Sequence, residues 1–123
     1  MDEQYKGQII FQKVYWELSN AAQYRGYVTY QEIAQMMNLP LSGNYMGKEL
    51  GQILGEISHE EHIRGRPMLS AIAVSSSEFP GDGFFELAKR LGHQFEDSTE
   101  GKRTFWEEEK EKVYLTWQRE LKT

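Results

Sequence analysis

Several groups of residues in this chain could do chemistry by type alone. Ser58-His59-Glu60-Glu61-His62 sets two imidazoles at i, i+3, close enough on a helix to share a zinc ion. Helical zinc hydrolases use His-Glu-x-x-His at i, i+4, so this spacing is one residue short. The remaining His93 is distant in sequence, and the segment reads as a polar helix end. Asp82, Glu86 and Lys89 are the residue types of metal-assisted phosphodiester cleavage. That chemistry wants Glu-x-Lys on a strand, whereas Glu86-Leu87-Ala88-Lys89 is one residue longer and helical in pattern. A turn with Asp82 or a neighbour capping a helix, and Phe84-Phe85 plugging the core, accounts for it better. Ser70 as a nucleophile needs a His and an acid in reach, and nothing in the sequence supplies them. Gly81 and Gly83 are too few for a phosphate loop. No cysteine is present, which removes disulfides, thiolate metal sites and cysteine nucleophiles. The expectation is a protein with no catalytic constellation, no metal and no cofactor.

The elements that position these residues follow from periodicity. Ile10, Val14 and Leu18, widened by Phe11, Tyr15 and Ala22, predict an amphipathic helix over about 8–24, with Gly26 just past its end. Tyr27-Val28-Thr29 suits a brief β-bridge. Thr29-Tyr30-Gln31-Glu32 matches a capping box and opens a second helix, carrying Ile33, Ala34 and Met37 inward and stopping near Asn38 before Pro40. After a tight connector, with Ser42 or Asn44 as cap, a third helix over about 45–60 puts Met46, Leu50, Ile53, Leu54 and Ile57 on one side. Gly47, Gly51 and Gly55 recur along it. Each costs up to ~1 kcal/mol of helix stability against Ala, so close approach of another backbone is expected there. Met68 to Val74 reads as a strand with Met68, Ser70, Ile72 and Val74 on one face, followed by a flexible Ser75-Ser76-Ser77-Glu78 tip. Phe84 to Leu91 is a short helix ended by Gly92, and Glu96 to Lys102 a polar linker. A second capping box at Thr104-Phe105-Trp106-Glu107 starts a terminal helix, whose Glu107-to-Lys112 run reads as a solvated face.

Three helices followed by a strand and loop predict a mainly α fold with a small β-wing: a winged helix-turn-helix plus a C-terminal helix. The divisions are 1–95 for the winged-helix domain, 96–103 for the linker, and 104–123 for a helix packing on the same domain or a partner. From Ile9 to Gly92 the order of features resembles the DNA-binding half of the alkylguanine-DNA alkyltransferase family and its alkyltransferase-like relatives. The resembling segments are Phe11-Gln12-Lys13-Val14-Tyr15, Gly26 to Ala34 with its Gly-x-Val-Thr-Tyr lead-in, and Met46-Gly47-Lys48-Glu49-Leu50. Arg66-Pro67-Met68-Leu69-Ser70-Ala71-Ile72 takes the place of the Pro-Cys-His-Arg segment, and Lys89 with Leu91-Gly92 that of the closing helix. Met68 replaces the alkyl-accepting thiolate, the following His and Arg are not kept, and Asn44 stands near the Arg that fills the gap left by a flipped base. The resemblance implies the fold, DNA contact through Tyr30 and the third helix, and no alkyl transfer.

The charge pattern tests that implication. The formal net charge is −5, which argues against an unspecific polyanion binder, because phosphate affinity comes largely from Lys and Arg. Between Tyr30 and Ser58 Lys48 is the one base against Glu32, Glu49 and Glu56, a sum of −2. Tyr30, Asn44, Tyr45 and Lys48 are the candidates for nucleic-acid contact on the helix-turn-helix; the alternative is a face that is solvated or packs on protein. Arg64 and Arg66, flanking Gly65, could grip phosphates, or pair with Glu60 and Glu61. Trp106, Tyr114 and Trp117 either close the domain or anchor a protein partner or second copy. No apolar run approaches the ~20 residues of a membrane span, and Met1-Asp2-Glu3-Gln4 has no secretory character. A cytoplasmic, non-enzymatic, DNA-binding or DNA-associated regulator is expected, the alternative being an acidic protein-interaction module such as an inhibitor, immunity factor or host–phage conflict adaptor.

Overall fold

In the first helix, α1 (Ile9–Gln23), Phe11, Val14, Leu18 and Ala22 go into the core, as their spacing requires. The structure is a computed structural model and describes residues 2–40 and 43–118. The left-handed residue that ends α1 is Arg25 (φ 58°), not Gly26. Gly26 instead donates its N–H to the Ala21 carbonyl at 2.9 Å, closing a Schellman turn. Arg25 can occupy this position because its guanidinium is held by Glu111 and lies over the Tyr114 ring, 4.8 Å from its centre.

Strand β1 (Val28–Thr29) leads into helix α2 (Tyr30–Met36) through the expected capping box. The Thr29 hydroxyl accepts from the Glu32 N–H at 3.2 Å, and the Glu32 carboxylate accepts from the Thr29 N–H at 3.3 Å. Asn38, at φ 57°, ends α2 by the same turn as α1. Helix α3 (Asn44–Ile63) buries Leu50, Ile53, Leu54 and Ile57. Gly43 holds its N-cap position and Asn44 is its first helical residue, so Asn44 does not cap it. Ser42, the other candidate cap, lies outside the described residues.

The segment from Met68 to Val74 departs from expectation. Leu69–Ile72 is a 3-10 turn, and only β2 (Ala73–Val74) is strand. All seven residues are buried. A strand with one wet face would have exposed Leu69, Ala71 and Ala73; the turn lets α1, α3 and the terminal helix enclose them. β2 pairs parallel to β1, Val28 against Ala73 and Thr29 against Val74. The Ser75–Phe79 loop follows as the tip, with Ser75 and Phe79 joined by a 3.0 Å backbone bond.

Helix α4 (Asp82–Arg90) buries Phe84, Phe85, Leu87 and Ala88, with Gly81 rather than Asp82 at its N-cap position. Helix α5 (Thr99–Trp117) starts five residues before the expected Thr104, so much of the anticipated linker is helix. Its cap is Ser98, whose hydroxyl accepts from the Gly101 N–H at 3.0 Å. Gly101 is required there: a Cβ on it would fall 2.2 Å from the Glu96 carbonyl oxygen. α5 runs back along α1, with Tyr15 meeting Trp117 and Gly26 meeting Tyr114.

The whole is a mainly α winged helix-turn-helix with a small two-stranded β element and an added C-terminal helix. Among the described residues, no helix is long and apolar enough to cross a membrane.

Candidate functional site

Between α3, Tyr30 and α4 lies a groove of about 1070 Å³. Gly47 and Gly51 line it, and a Cβ built on either meets nothing within 4 Å. At these two positions the backbone expected against the glycine series is not supplied by the described chain, whereas Gly55, the third of the series, is buried. Leu50, Leu54, Phe84 and Leu87 make its apolar wall. Tyr30 joins the walls: its hydroxyl accepts from the Gly81 N–H at 2.8 Å, tying the start of α2 to the start of α4. Burial pushes the Tyr30 phenol up from its ordinary value, against the opposing pull of that N–H. Its own proton has no acceptor among the described residues. Ser70, buried and lining the groove, accepts from Ser58 at 2.7 Å and likewise keeps a spare donor.

The acids of the helix-turn-helix do not face this groove. Glu32 caps α2, Glu49 accepts from the Tyr5 hydroxyl at 2.7 Å, and the buried Glu56 accepts from successive backbone N–H groups of Gln4, Tyr5 and Lys6. None of these acids lines it, whereas Lys48 and Arg90 do, and neither base forms an ion pair among the described residues. Asp2 and Glu86 also line it, so its lysine and arginine balance its carboxylates at a sum of zero. Against a molecule at −5, this is a comparatively positive face.

Of the expected nucleic-acid contacts, the groove brings together Tyr30 and Lys48. Asn44 and Tyr45 are exposed on the first turn of α3 but do not line it. Arg64 and Arg66 sit beyond the other end of α3, paired with the acids that offered the alternative reading. Arg64 reaches Glu60 at 3.6 Å. Arg66 clamps the fully buried Glu61 with two bonds of 2.6 and 2.8 Å, and donates to the Tyr15 hydroxyl at 2.9 Å. It also lies over the Trp117 ring, 5.3 Å from its centre. Glu61 holds the Arg66 proton far more tightly than usual, and burial with the Glu61 bond pushes Tyr15 up to about 12. Arg66 is thus engaged within the chain by Glu61, Tyr15 and Trp117, with its side chain 30% exposed.

The aromatic residues expected to anchor a partner also turn inward. Trp106 is 2% exposed and donates to the Ala71 carbonyl at 2.8 Å; Tyr114, 4% exposed, donates to the Gly26 carbonyl at 2.9 Å. Trp117 is half-buried against Tyr15 and Arg66. All three close the domain, because α5 covers the 3-10 turn that α1 and α3 leave open. His59 and His62 line the groove, but no group of three or more His, Asp or Glu residues among the described ones could hold a metal. Sequence reasoning missed Arg90, whose i+4 spacing from Glu86 was its only signal, and Glu109, a buried acid inside a run that reads as solvated.

No family model, curated protein or solved structure matches the chain. The alkyltransferase resemblance therefore extends to the winged-helix arrangement, and no finding ties the chain to that family.

Arg66→Ala leaves Glu61 buried and unpaired. Discounting for the partial exposure of the arginine, the expected loss is about 2–3 kcal/mol of stability; an unchanged urea midpoint would show the clamp contributes nothing. Glu56 gives a pH prediction. Burial pushes its carboxyl up, but the Gln52 amide and the N–H groups of Gln4, Lys6 and Tyr5 together hold it below the usual carboxylate range. A depressed folded value adds stability above the unfolded one, lost as pH falls through the folded one. The amide resonances of residues 4–6 should thus hold steady from neutral pH to about 5 and shift below about 4; movement between pH 7 and 5 would contradict this.

Proposed function

We propose that the chain is a non-enzymatic, cytoplasmic DNA-binding domain that seats nucleic acid on α3 along the glycine-floored groove. The observation that carries this reading is the sorting of charge around α3: its acids are turned onto the chain itself, while Lys48 and Arg90 stand unpaired at the groove among the described residues. Phosphate oxygens are met by such free bases and by spare O–H donors, here those of Tyr30 and Ser70. Open space at Gly47 and Gly51 lets a partner's backbone lie against the helix. Asn44 and Tyr45, exposed one turn earlier on α3, extend the same contact. A cysteine-free composition suits a reducing compartment.

Fluorescence anisotropy with a labelled DNA duplex at low salt tests the reading. Lys48→Ala and Arg90→Ala should each weaken binding and lower the salt slope by about one. Gly51→Ala should raise thermal stability, by up to ~1 kcal/mol, yet weaken binding. No binding at low salt, or binding indifferent to these changes, refutes the reading.

A protein-interaction role has one observation of its own. Ile9 and Trp16, seven residues apart on α1, are 76% and 62% exposed on the face turned from the core. On that reading Trp16→Glu abolishes self-association or capture of a partner, followed by sedimentation, and leaves DNA affinity unchanged. Loss of DNA affinity instead would place the tryptophan in the first reading's surface.

A further inference from the structure

Residues 2–8 lie across α3 as a strap, and almost nothing apolar holds them. Of these residues only Tyr5 is even partly buried. The attachment is polar and concentrated on one carboxylate. Glu56 accepts from Gln4 N–H at 3.0 Å, Tyr5 N–H at 2.9 Å and Lys6 N–H at 2.9 Å. Three consecutive N–H groups around one anion form a nest. Gln52 completes the latch, its amide donating both to Glu56 at 2.8 Å and to the Asp2 carbonyl at 2.7 Å. Tyr5 to Glu49 and Lys6 to Glu60 add outer ties.

The latch fixes where the acidic end of the strap goes. Asp2 and Gln4 form part of the groove wall, in the same lining as Lys48, whereas Glu3 is not in that lining and pairs with Lys6 at 3.6 Å. Negative charge at the mouth of a cleft repels an anionic occupant and offsets the bases inside it. We infer that the strap is a gate on the groove: latched on Glu56 it holds Asp2 at the mouth, and unlatched it opens the groove to anions. The biological occupant of the opened groove rests on the nucleic-acid reading above; the gate itself does not.

The absence of cysteine makes a single introduced thiol a clean reporter. Gly51→Cys places it on the groove floor, where a Cβ meets nothing within 4 Å. In that background Glu56→Ala removes the latch, and Asp2→Asn removes the charge at the mouth while leaving the latch. Hydrogen exchange at residues 4–6 reports the strap. The rates of reaction with dianionic dithiobis-nitrobenzoate and uncharged dithiodipyridine report the groove. Unlatching should speed exchange at residues 4–6 and speed both reagents. The charge-stripped strap should speed only the dianionic reagent, by about 1.7-fold if the Asp2 carboxylate acts from ~10 Å in moderate salt, with exchange unchanged. The gate is refuted if exchange rises and thiol rates do not, or if Glu56→Ala leaves exchange unchanged. Should Glu56→Ala fail to fold, Glu56→Gln, which keeps one acceptor oxygen and loses the charge, is expected to give the same directions at smaller size. If the thiol results hold and no DNA binds the chain with Gly51 intact, with or without Glu56→Ala, the gate stands and the nucleic-acid reading falls.

Discussion

A buried irregular turn must have every peptide group answered, because water cannot reach it and an unmet donor or acceptor costs about 1–3 kcal/mol. The Leu69–Ile72 turn is such a segment, fully enclosed between α3 and β2. Its polar groups are met by side chains from elements far apart in sequence. Glu109 takes the Met68 N–H at 2.9 Å, Ser58 takes the Ser70 N–H at 3.2 Å, and Trp106 gives its indole N–H to the Ala71 carbonyl at 2.8 Å. Two of these come from α5. The terminal helix is therefore a part of the core rather than an appendage, and its start at Ser98 is set by the need to bring Trp106 and Glu109 to the turn.

The same requirement explains the three buried glutamates among the described residues, an unusual number of acids for so small an interior. Glu56, Glu61 and Glu109 each secure a stretch of chain that regular hydrogen bonding leaves loose: the residues before α1, the exit from α3, and the turn. Glu56 accepts from three backbone N–H groups and the Gln52 amide, Glu61 from Arg66 and Tyr15, and Glu109 from the Met68 N–H, with His93 and Lys112 each 3.9 Å away. The acidic composition thus overstates the negative surface. A fair share of the anionic charge is consumed inside.

What the sequence discloses is what local period and local capping decide. The α1 stripe, the Thr29–Glu32 box and the inward face of α3 form as read, since each depends on residues within a few positions. Met68 to Val74 does not, because seven small or apolar residues in a row fit a strand and a buried turn equally well, and only the surrounding helices choose. The early start of α5 was hidden by Gly101, which looks like a breaker until the Glu96 carbonyl beside it is seen. Arg66 and Trp106 had the chemistry of contact residues, and only the Glu61 clamp on the one and the burial of the other reveal their partners within the chain. Of the candidate site, Tyr30 and Lys48 were legible, while Arg90 was not: an unpaired charge is a property of neighbours, not of spacing.

Glycine on α3 sharpens what separates stability from function in this fold. Helix interiors lose stability at glycine unless something fills the space gained. At Gly101 the chain fills it with its own carbonyl, so the glycine serves the fold. At Gly47 and Gly51 nothing in the described chain comes near, and the cost to α3 has no internal return. α3 keeps two such positions on one face, at the floor of a groove walled by Leu54, Phe84 and Tyr30. The lining of that groove is charge-balanced, Lys48 and Arg90 against Asp2 and Glu86, so what sets this face apart from the rest of an acidic chain is its open glycine floor together with two bases that have no ion pair among the described residues.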